Sequence, residues 1–436
     1  MGRICAGSIA ILRQMRAGNA FNLCRDRVES RKIQHNQEGY PVFKTLDDFD
    51  FDGKVALVRA DLNVPMRGDT VSDATRIERL RDTIDTLIDR GARVVLMSHF
   101  DRPKGKPVPE MSLGPIAKSV GKVLGRSVTF ATDCIGSTAK TAIDSISKDG
   151  IVVLENLRFY PGEEANDMEF AKELAALGDV YINDAFSAAH RAHASTVAIA
   201  TLLPALAGRN MQKELEALEA ALGNPERPVA AIVGGAKVST KLAVLEHLVE
   251  RVDLLIIGGG MANTFLYAMG KDIAKSLCEK DLADVARGIL ARADAAGCRI
   301  GLPHDVTVAS EFASGAESES VALDAVQAHK MILDIGPETA DALAAELESC
   351  KTLIWNGPMG AFEIPPFDAG TVALARKAAE LTEAGKLISV AGGGDTVAAL
   401  MAAGVADKFT YVSTAGGAFL EWMEGRDLPG VSVLKQ

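Results

Sequence analysis

The chain predicts an α/β fold made of two doubly wound, parallel-sheet (Rossmann-like) domains joined by an interdomain helix, with a cleft between them. Three observations carry that reading. From Pro41 onward, short β-branched apolar runs alternate with amphipathic helical stretches. Several runs, such as Ile151–Leu154 and Leu254–Ile257, are apolar at every position, as strands buried on both faces of a parallel sheet must be. Midway stands Gln212–Leu222, with Leu215, Leu218 and Leu222 on one helical face and a stop signal at Gly223-Asn224-Pro225. No internal repeat of fixed period accompanies these units.

Taken in order along the chain, residues 1–40 differ in character from residues 41–436. They hold seven Lys/Arg and three acids, although the whole chain carries a net charge of −11. An Arg-rich, acid-poor leader has the character of a transit peptide; a disordered tail or a start codon assigned too far upstream are the plainer readings. The N-terminal domain spans 41–208, with strands at Lys54–Arg59, Arg93–Ser98, Val128–Phe130, Ile151–Leu154 and Val180–Asn183. In Ala74–Arg90, the spacing of Ile77, Leu80, Ile84 and Leu87 predicts one helix capped by Ser72 or Asp73. The interdomain helix takes 209–224. The C-terminal domain, 225–424, has strands at Val229–Val233, Leu254–Ile257, Arg299–Leu302, Met331–Ile335, Thr352–Trp355, Leu387–Val390 and Phe409–Val412. A tail, 425–436, is expected to return to the N-terminal domain.

Composition narrows the function. The acidic balance argues against broad nucleic-acid or anionic-membrane binding, so an anionic ligand needs a local cluster of cations or amides. Six scattered cysteines with no CxxC read as reduced thiols in a cytosolic-type compartment. No apolar run reaches the ~18–20 residues of a membrane span.

In open α/β sheets, ligands bind beyond the carboxyl ends of the strands, and here the two halves differ sharply. The first-half ends carry Arg59-Ala-Asp61-Leu-Asn63, Ser98-His99-Phe-Asp101-Arg102-Pro103, Glu155-Asn156-Leu-Arg158-Phe159 and Asn183-Asp184-Ala-Phe186, with His190-Arg191-Ala-His193 soon after. Convergence of Arg59, Arg76, Arg102, Arg158 and Arg191 makes a site for a small, multiply anionic substrate, because guanidinium forks bind phosphate and carboxylate bidentately. The second-half ends are glycine: Gly234-Gly235-Ala-Lys237, Gly258–Gly260, Asn356-Gly357-Pro358, Gly392-Gly393-Gly394-Asp395-Thr396 and Ala415-Gly416-Gly417. Glycine turns that open helices let backbone amides approach phosphates, which suits a nucleotide. Lys237 and Lys241, four apart, are expected to share a helical face and reach a phosphate chain. Asp395 beside Thr396 offers Mg²⁺ an oxygen ligand next to a phosphate-binding hydroxyl. His190 and His193 lack a third metal-ligand candidate, and His247 and His329 read as surface positions. The absence of GxxxxGK[ST] and of GxGxxG argues against a P-loop enzyme and an NAD-dependent dehydrogenase.

Together, Arg59–Pro65 (RADLNVP), Ser98–Pro103 (SHFDRP), Glu155–Phe159 (ENLRF), Asn183–Phe186 with His190–His193, Gly234–Lys241 (GGAKVSTK), Trp355–Gly360 (WNGPMG) and Gly392–Thr396 (GGGDT) closely resemble the phosphoglycerate kinase family, in its motif order, from about Pro41 to the end. The resemblance implies reversible phosphoryl transfer from 1,3-bisphosphoglycerate to Mg-ADP, giving 3-phosphoglycerate and ATP, by a cytoplasmic monomer that closes about its interdomain helix. It implies acid-binding roles for Asp61, Asn63, Arg76, His99, Arg102, Arg158 and Arg191, with Arg76 catalytic. Nucleotide-binding roles fall to Lys237, Lys241, Asn356, Glu363, Gly393, Gly394, Asp395 and Thr396, with Glu363 on the ribose, Asp395 the Mg²⁺ ligand and Lys241 catalytic beside Arg76. Two positions depart from the family pattern: Asp101, where many members have Gly, and Ala415, which replaces the first Gly of a Ser-Thr-Gly-Gly-Gly run. A catalytically silent relative that only holds nucleotide would typically have lost Arg76, Lys241 or Asp395, and all three are present.

Overall fold

Two six-stranded parallel sheets organise the chain in a computed structural model that describes residues 43–147 and 149–435. The extension 1–40 and the first two residues of the predicted N-terminal domain lie outside the described residues. The first lobe opens with β1 (Val55–Arg59), a hairpin of β2 (Met66–Arg67) and β3 (Thr70–Val71), then β4 (Arg93–Met97), β5 (Val128–Phe130), β6 (Ile151–Val153), β7 (Val180–Asn183) and β8 (Ala205–Ala207). Its sheet runs β5-β6-β4-β1-β7-β8, all parallel, and every residue of β1 is buried. The second lobe contributes β9 (Val229–Val233), β10 (Leu254–Ile257), β11 (Arg299–Gly301), β12 (Asp305–Ala309), β13 (Ser318–Ala322), β14 (Met331–Ile335), β15 (Thr352–Asn356), β16 (Ile388–Gly392) and β17 (Tyr411–Ser413). Its parallel sheet runs β11-β10-β9-β15-β16-β17, the strand order of dinucleotide-binding folds. In each sheet the winding direction reverses once, between β1 and β7 and between β9 and β15. There the connecting segments diverge and leave a crevice at the strand ends.

Several expectations need correction. Met331–Ile335 is a strand, but it belongs to a separate antiparallel sheet, β13-β12-β14, inserted between β11 and β15. An apolar run alone does not tell a parallel-sheet strand from an antiparallel one. Asp305–Ala309, Ser318–Ala322 and Ala205–Ala207 are strands that the sequence pattern does not predict; Ser318–Ala322 is a polar edge with no fully buried residue, and Ala-Leu-Ala has weak strand preference. The predicted helix Ala74–Arg90 is two helices, Thr75–Arg79 and Arg81–Asp89, meeting at Leu80. Ile77, Leu80, Ile84 and Leu87 nevertheless all stay buried. Asp73 provides the entry turn, its Oδ1 accepting from the Thr75 amide at 2.9 Å, whereas Ser72 donates to the Pro65 carbonyl at 3.1 Å.

The connecting helix starts earlier than its apolar spacing suggests. It spans Arg209–Leu218 and continues as a wider turn, Glu219–Gly223. Asp184, at the end of β7, satisfies its first turn by accepting from the Asn210 and Met211 amides at 2.8 and 3.2 Å. Burial pushes the Asp184 carboxyl up to about 6. Glu214, buried on the same helix, accepts from the Tyr411 hydroxyl of β17. The helix is therefore tied to the first sheet at its start and to the second at its middle. The chain end crosses back: the Gly430 amide donates to Ala189 at 2.8 Å, Asn183 Nδ2 donates to the Gly430 carbonyl at 3.1 Å, and Val433 is buried with Leu57 and Tyr181 in the first-lobe core.

Candidate active site

The reversal between β1 and β7 holds a cavity of about 230 Å³. Arg59, Arg76, Arg102, Arg158 and Arg191 all line it, with Asp61, Asn63 and His99. Arg59, Asp61 and Asn63 stand at or after the end of β1, His99 and Arg102 after β4, Arg158 after β6 and Arg191 after β7, ends that the parallel sheet brings to one edge, while Arg76 reaches in from the helix Thr75–Arg79. Arg76 is held ready by Asp61 Oδ1 at 3.0 Å and the Asn63 carbonyl at 2.8 Å, and Asp61 Oδ2 in turn accepts from Ser187 Oγ at 2.6 Å. Arg158 NH1 donates to the Asp101 carbonyl at 2.7 Å. Asn63 Oδ1 accepts from the Asp101 amide at 3.1 Å, so Asp61 and Asn63 orient their neighbours as well as facing the cavity. Asp101 has φ +53°, the left-handed region that glycine enters without strain and Asp tolerates. That accounts for a residue other than Gly at this turn.

Electrostatically the cavity is short of negative charge. Burial, reinforced by Arg59, Arg158 and Arg191, holds His99 well below the usual imidazole range. Burial and the same arginines push His193 down to about 4. Burial also lowers the Arg158 guanidinium, against the attraction of Glu164, whose Oε1 is 3.2 Å from Nε. Five arginines against Asp61 and Asp101 in the lining leave an excess of fixed positive charge that favours an anion there.

The second crevice is built from glycine. The ends of β9 and β15 approach so closely that a Cβ on Gly234 would stand 1.9 Å from the Pro358 carbonyl oxygen. Gly357 has φ +104°. Across this junction lies Lys241, whose Nζ donates to the Gly234 and Asn356 carbonyls at 2.7 and 2.9 Å. Burial brings its ammonium down to about 8, with Asp395 opposing. Asn356 Nδ2 donates to the Gly392 carbonyl at 2.8 Å, and Thr396 Oγ1 accepts from the Gly357 amide at 2.7 Å, keeping its own proton for a further acceptor. Gly393, φ +96°, opens the helix Gly394–Ala402, and Asp395 is exposed in its first turn.

Lys241, Asn356 and Thr396 thus belong to one bonded set, linked through the backbone of Gly234, Gly357 and Gly392, with Gly393, Gly394 and Asp395 on the turn that follows Gly392. Lys237 is not part of it. The expected shared helical face does not exist, because Val238–Thr240 is a 3₁₀ turn and the α-helix begins at Leu242. Lys237 is exposed before that turn, and Glu363 is exposed on the segment after β15. The two crevices are contiguous: Gly416 and Gly417, which open the helix Gly416–Met423 after β17, line the arginine cavity, and a Cβ on Gly416 would lie 3.7 Å from Gly393 Cα.

Sequence reasoning missed Ser187, Glu163 and Ser195. Ser187 faces Asp61, while Glu163 and Ser195 are buried behind the cavity and bonded to each other. Nothing in the spacing of a Glu in a Pro-Gly-Glu-Glu turn and a Ser in Ala-His-Ala-Ser reveals that they meet.

A cation cavity and an amide-rich, lysine-bearing crevice sharing one wall across two lobes define a two-lobed phosphotransferase that works between a small anionic substrate and a nucleotide. Comparison with known proteins is specific. Residues 46–426 match the family model described as phosphoglycerate kinase. The phosphoglycerate kinase of Ruegeria sp. is 61% identical over 393 residues, covering 90% of this chain and 99% of that protein, and that of Caulobacter vibrioides is 59% identical over the same length. Among solved structures, phosphoglycerate kinase from Coxiella burnetii superposes with a TM-score of 0.84 at 41% identity, covering 90% of this chain and 99% of that one. The Pyrococcus horikoshii enzyme gives 0.72 at 31%. The chain belongs to the phosphoglycerate kinase family.

Proposed function

We propose that the arginine cavity holds 3-phosphoglycerate or the non-transferring end of 1,3-bisphosphoglycerate, and that the glycine crevice holds ADP or ATP. The observation that carries this is the shared wall: Gly416 touches the arginine cavity on one side and the Gly392–Gly394 turn on the other. The reaction is reversible transfer of a phosphoryl group from the acyl phosphate of 1,3-bisphosphoglycerate to ADP. A terminal ADP oxygen attacks the phosphorus, and the bond to the acyl oxygen breaks, leaving the 3-phosphoglycerate carboxylate. In reverse, that carboxylate attacks the γ-phosphorus of ATP and ADP departs. A carboxylate is ionised at neutral pH, so neither direction needs a general base; positioning and charge neutralisation carry the rate.

The residues divide that work. Asp61, Asn63, His99, Arg102, Arg158 and Arg191 bind and orient the acid. Arg76 and Lys241 meet on the transferring group, Lys241 exchanging its carbonyl partners for phosphate oxygens as water leaves the cleft. Gly393, Gly394, Asn356 and Thr396 offer close backbone approach and side-chain donors to the polyphosphate, Lys237 adds a cation, and Glu363 accepts from the ribose hydroxyls. An exposed carboxylate at the phosphate-facing helix start fits Mg²⁺, which takes one or two protein carboxylates and completes its shell with substrate phosphate and water. Asp395 would hold it, and when bound the ion neutralises polyphosphate charge.

We read 41–208 and 225–424 as the two domains, 209–224 as their connector, 425–436 as the returning tail, and the working unit as a cytoplasmic monomer. Unpaired thiols at Cys134, Cys278, Cys298 and Cys350 support a reducing compartment. Among the described residues, no helix is long and apolar enough to cross a membrane. The deciding test is a coupled assay for ATP formation from 1,3-bisphosphoglycerate and Mg-ADP. Activity is expected, and nucleotide binding without turnover would refute the proposal.

A further inference from the structure

From Arg59 and His99 in the wall of the arginine cavity, a buried polar chain runs back to Ser195 and Glu163, which have no part in the phosphoryl-transfer steps. Arg59 is 1% exposed, yet it makes no direct ion pair among the described residues. Its guanidinium is used in three directions: Nε donates to Ser195 Oγ at 2.9 Å, NH1 to the Ala60 carbonyl at 2.7 Å, and NH2 faces His99 Nδ1 at 2.9 Å. Ser195 passes the interaction on. Its Oγ–H donates to Glu163 Oε1 at 2.6 Å, and its amide donates to Oε2 at 3.0 Å. Both oxygens of a fully buried carboxylate are thereby committed to one serine, which the Tyr181 hydroxyl also fixes by donating to its carbonyl at 2.9 Å.

The donor rules close the chain. A guanidinium donates and never accepts, so His99 Nδ1 is the acceptor. A neutral imidazole carries one proton, which must then be on Nε2. We propose that Glu163 is a positioning residue: through Ser195 it holds Arg59, and through Arg59 it fixes His99 as the neutral Nε2–H tautomer, a preset donor to the anion in the arginine cavity. The groups around His99 act in the same direction. Arg59 on β1, Arg158 after β6, and Arg191 with His193 after β7 all disfavour a charged ring. Glu163 is the compensating carboxylate, and its Oε1 is 3.8 Å from His193 Nδ1.

The KM part of the test rests on the proposed substrate; the tautomer part does not. Full-length protein labelled with ¹⁵N-histidine, without ligand, is examined by ¹⁵N–¹H correlation in wild type, Glu163→Gln and Ser195→Ala. Wild-type His99 is expected to show an unprotonated, hydrogen-bonded Nδ1 and a protonated Nε2; a protonated Nδ1 there overturns the relay without any variant. In both variants the Nδ1 bond weakens and the ring becomes a tautomer mixture, while KM for 3-phosphoglycerate rises by about tenfold and KM for ATP stays within about twofold. A purely structural role would lower thermal stability and leave His99 unchanged in the folded fraction, which also overturns the relay. Ser195→Ala keeps the test available if Glu163→Gln fails to fold. A tautomer change with unaltered KM for 3-phosphoglycerate would sustain the relay and refute the assignment of the cavity.

Discussion

Gly234→Ala tests how the nucleotide crevice is built. The added methyl would sit 1.9 Å from the Pro358 carbonyl oxygen and 2.7 Å from its carbon, both backbone atoms that no side-chain rotation can clear. Ordinary contact begins near 3.4 Å, so the β9 and β15 loops must part by about 1.5 Å. Lys241 bridges those loops through the Gly234 and Asn356 carbonyls, so its ammonium moves with them. Overpacking of this kind costs about 1–3 kcal/mol of stability, and a misplacement of about 1 Å near a reacting centre costs on the order of 10²-fold in rate. In a coupled assay run toward 1,3-bisphosphoglycerate, kcat should fall by about 10²-fold and KM for ATP should rise. KM for 3-phosphoglycerate should stay within about twofold, and the urea midpoint should drop. Wild-type kcat and nucleotide KM with an unshifted urea midpoint would show that the loops part freely, and would refute the tight junction as the device that places Lys241.

Other perturbations have equally definite outcomes. Gly288 is exposed within the helix Ala283–Ala296 with nothing within 4 Å of its would-be Cβ, so Gly288→Ala should raise the urea-unfolding free energy by about 0.5–1 kcal/mol and leave activity alone; a loss of stability would contradict the helix assignment. Arg76→Ala should cut kcat by about 10²–10³-fold while sparing nucleotide affinity, and an equal loss of both would contradict its place on the transferring group. Asp395→Ala should weaken Mg-nucleotide binding by about 10–100-fold, and an unchanged magnesium dependence of KM for ATP would refute the ligand assignment. Lys241 titrates near 8 in the free protein, and a bound polyphosphate raises that value. Nucleotide binding should therefore take up a proton above that pH and weaken as pH climbs through it; calorimetry in buffers of different ionisation heat that detects no uptake would disprove the buried-ammonium picture.

Much of this is legible in the chain because its signals are local. Ile151–Leu154 and Leu254–Ile257 announce buried strands by their unbroken apolar runs, and the glycines at 234, 258, 357 and 393 mark strand ends where backbones must pass closely. Arg59 ends such a strand and Arg102 and Arg158 follow others, so their arrival at one edge follows once the sheet is parallel. The failures lie where a local signal is shared by two structures or is missing. Met331–Ile335 reads alike in a parallel and an antiparallel sheet. The i, i+4 spacing of Lys237 and Lys241 suggests a helix that starts only at Leu242, because Val238–Thr240 between them is a 3₁₀ turn, whose period does not place i and i+4 on one face.

The sequence by itself determined the two α/β units, the cation-versus-glycine division of their strand ends and the family, since these depend on residue type and order along the chain. Tertiary structure alone decided which groups meet: that the reversals fall between β1 and β7 and between β9 and β15, that Gly416 belongs to both crevices, and that Glu163 reaches Arg59 through Ser195. The physical reason is distance along the chain. Residues 32 and 136 positions apart are joined only when sheet pairing and burial close the intervening segments, and single-residue patterns contain no term for that closure.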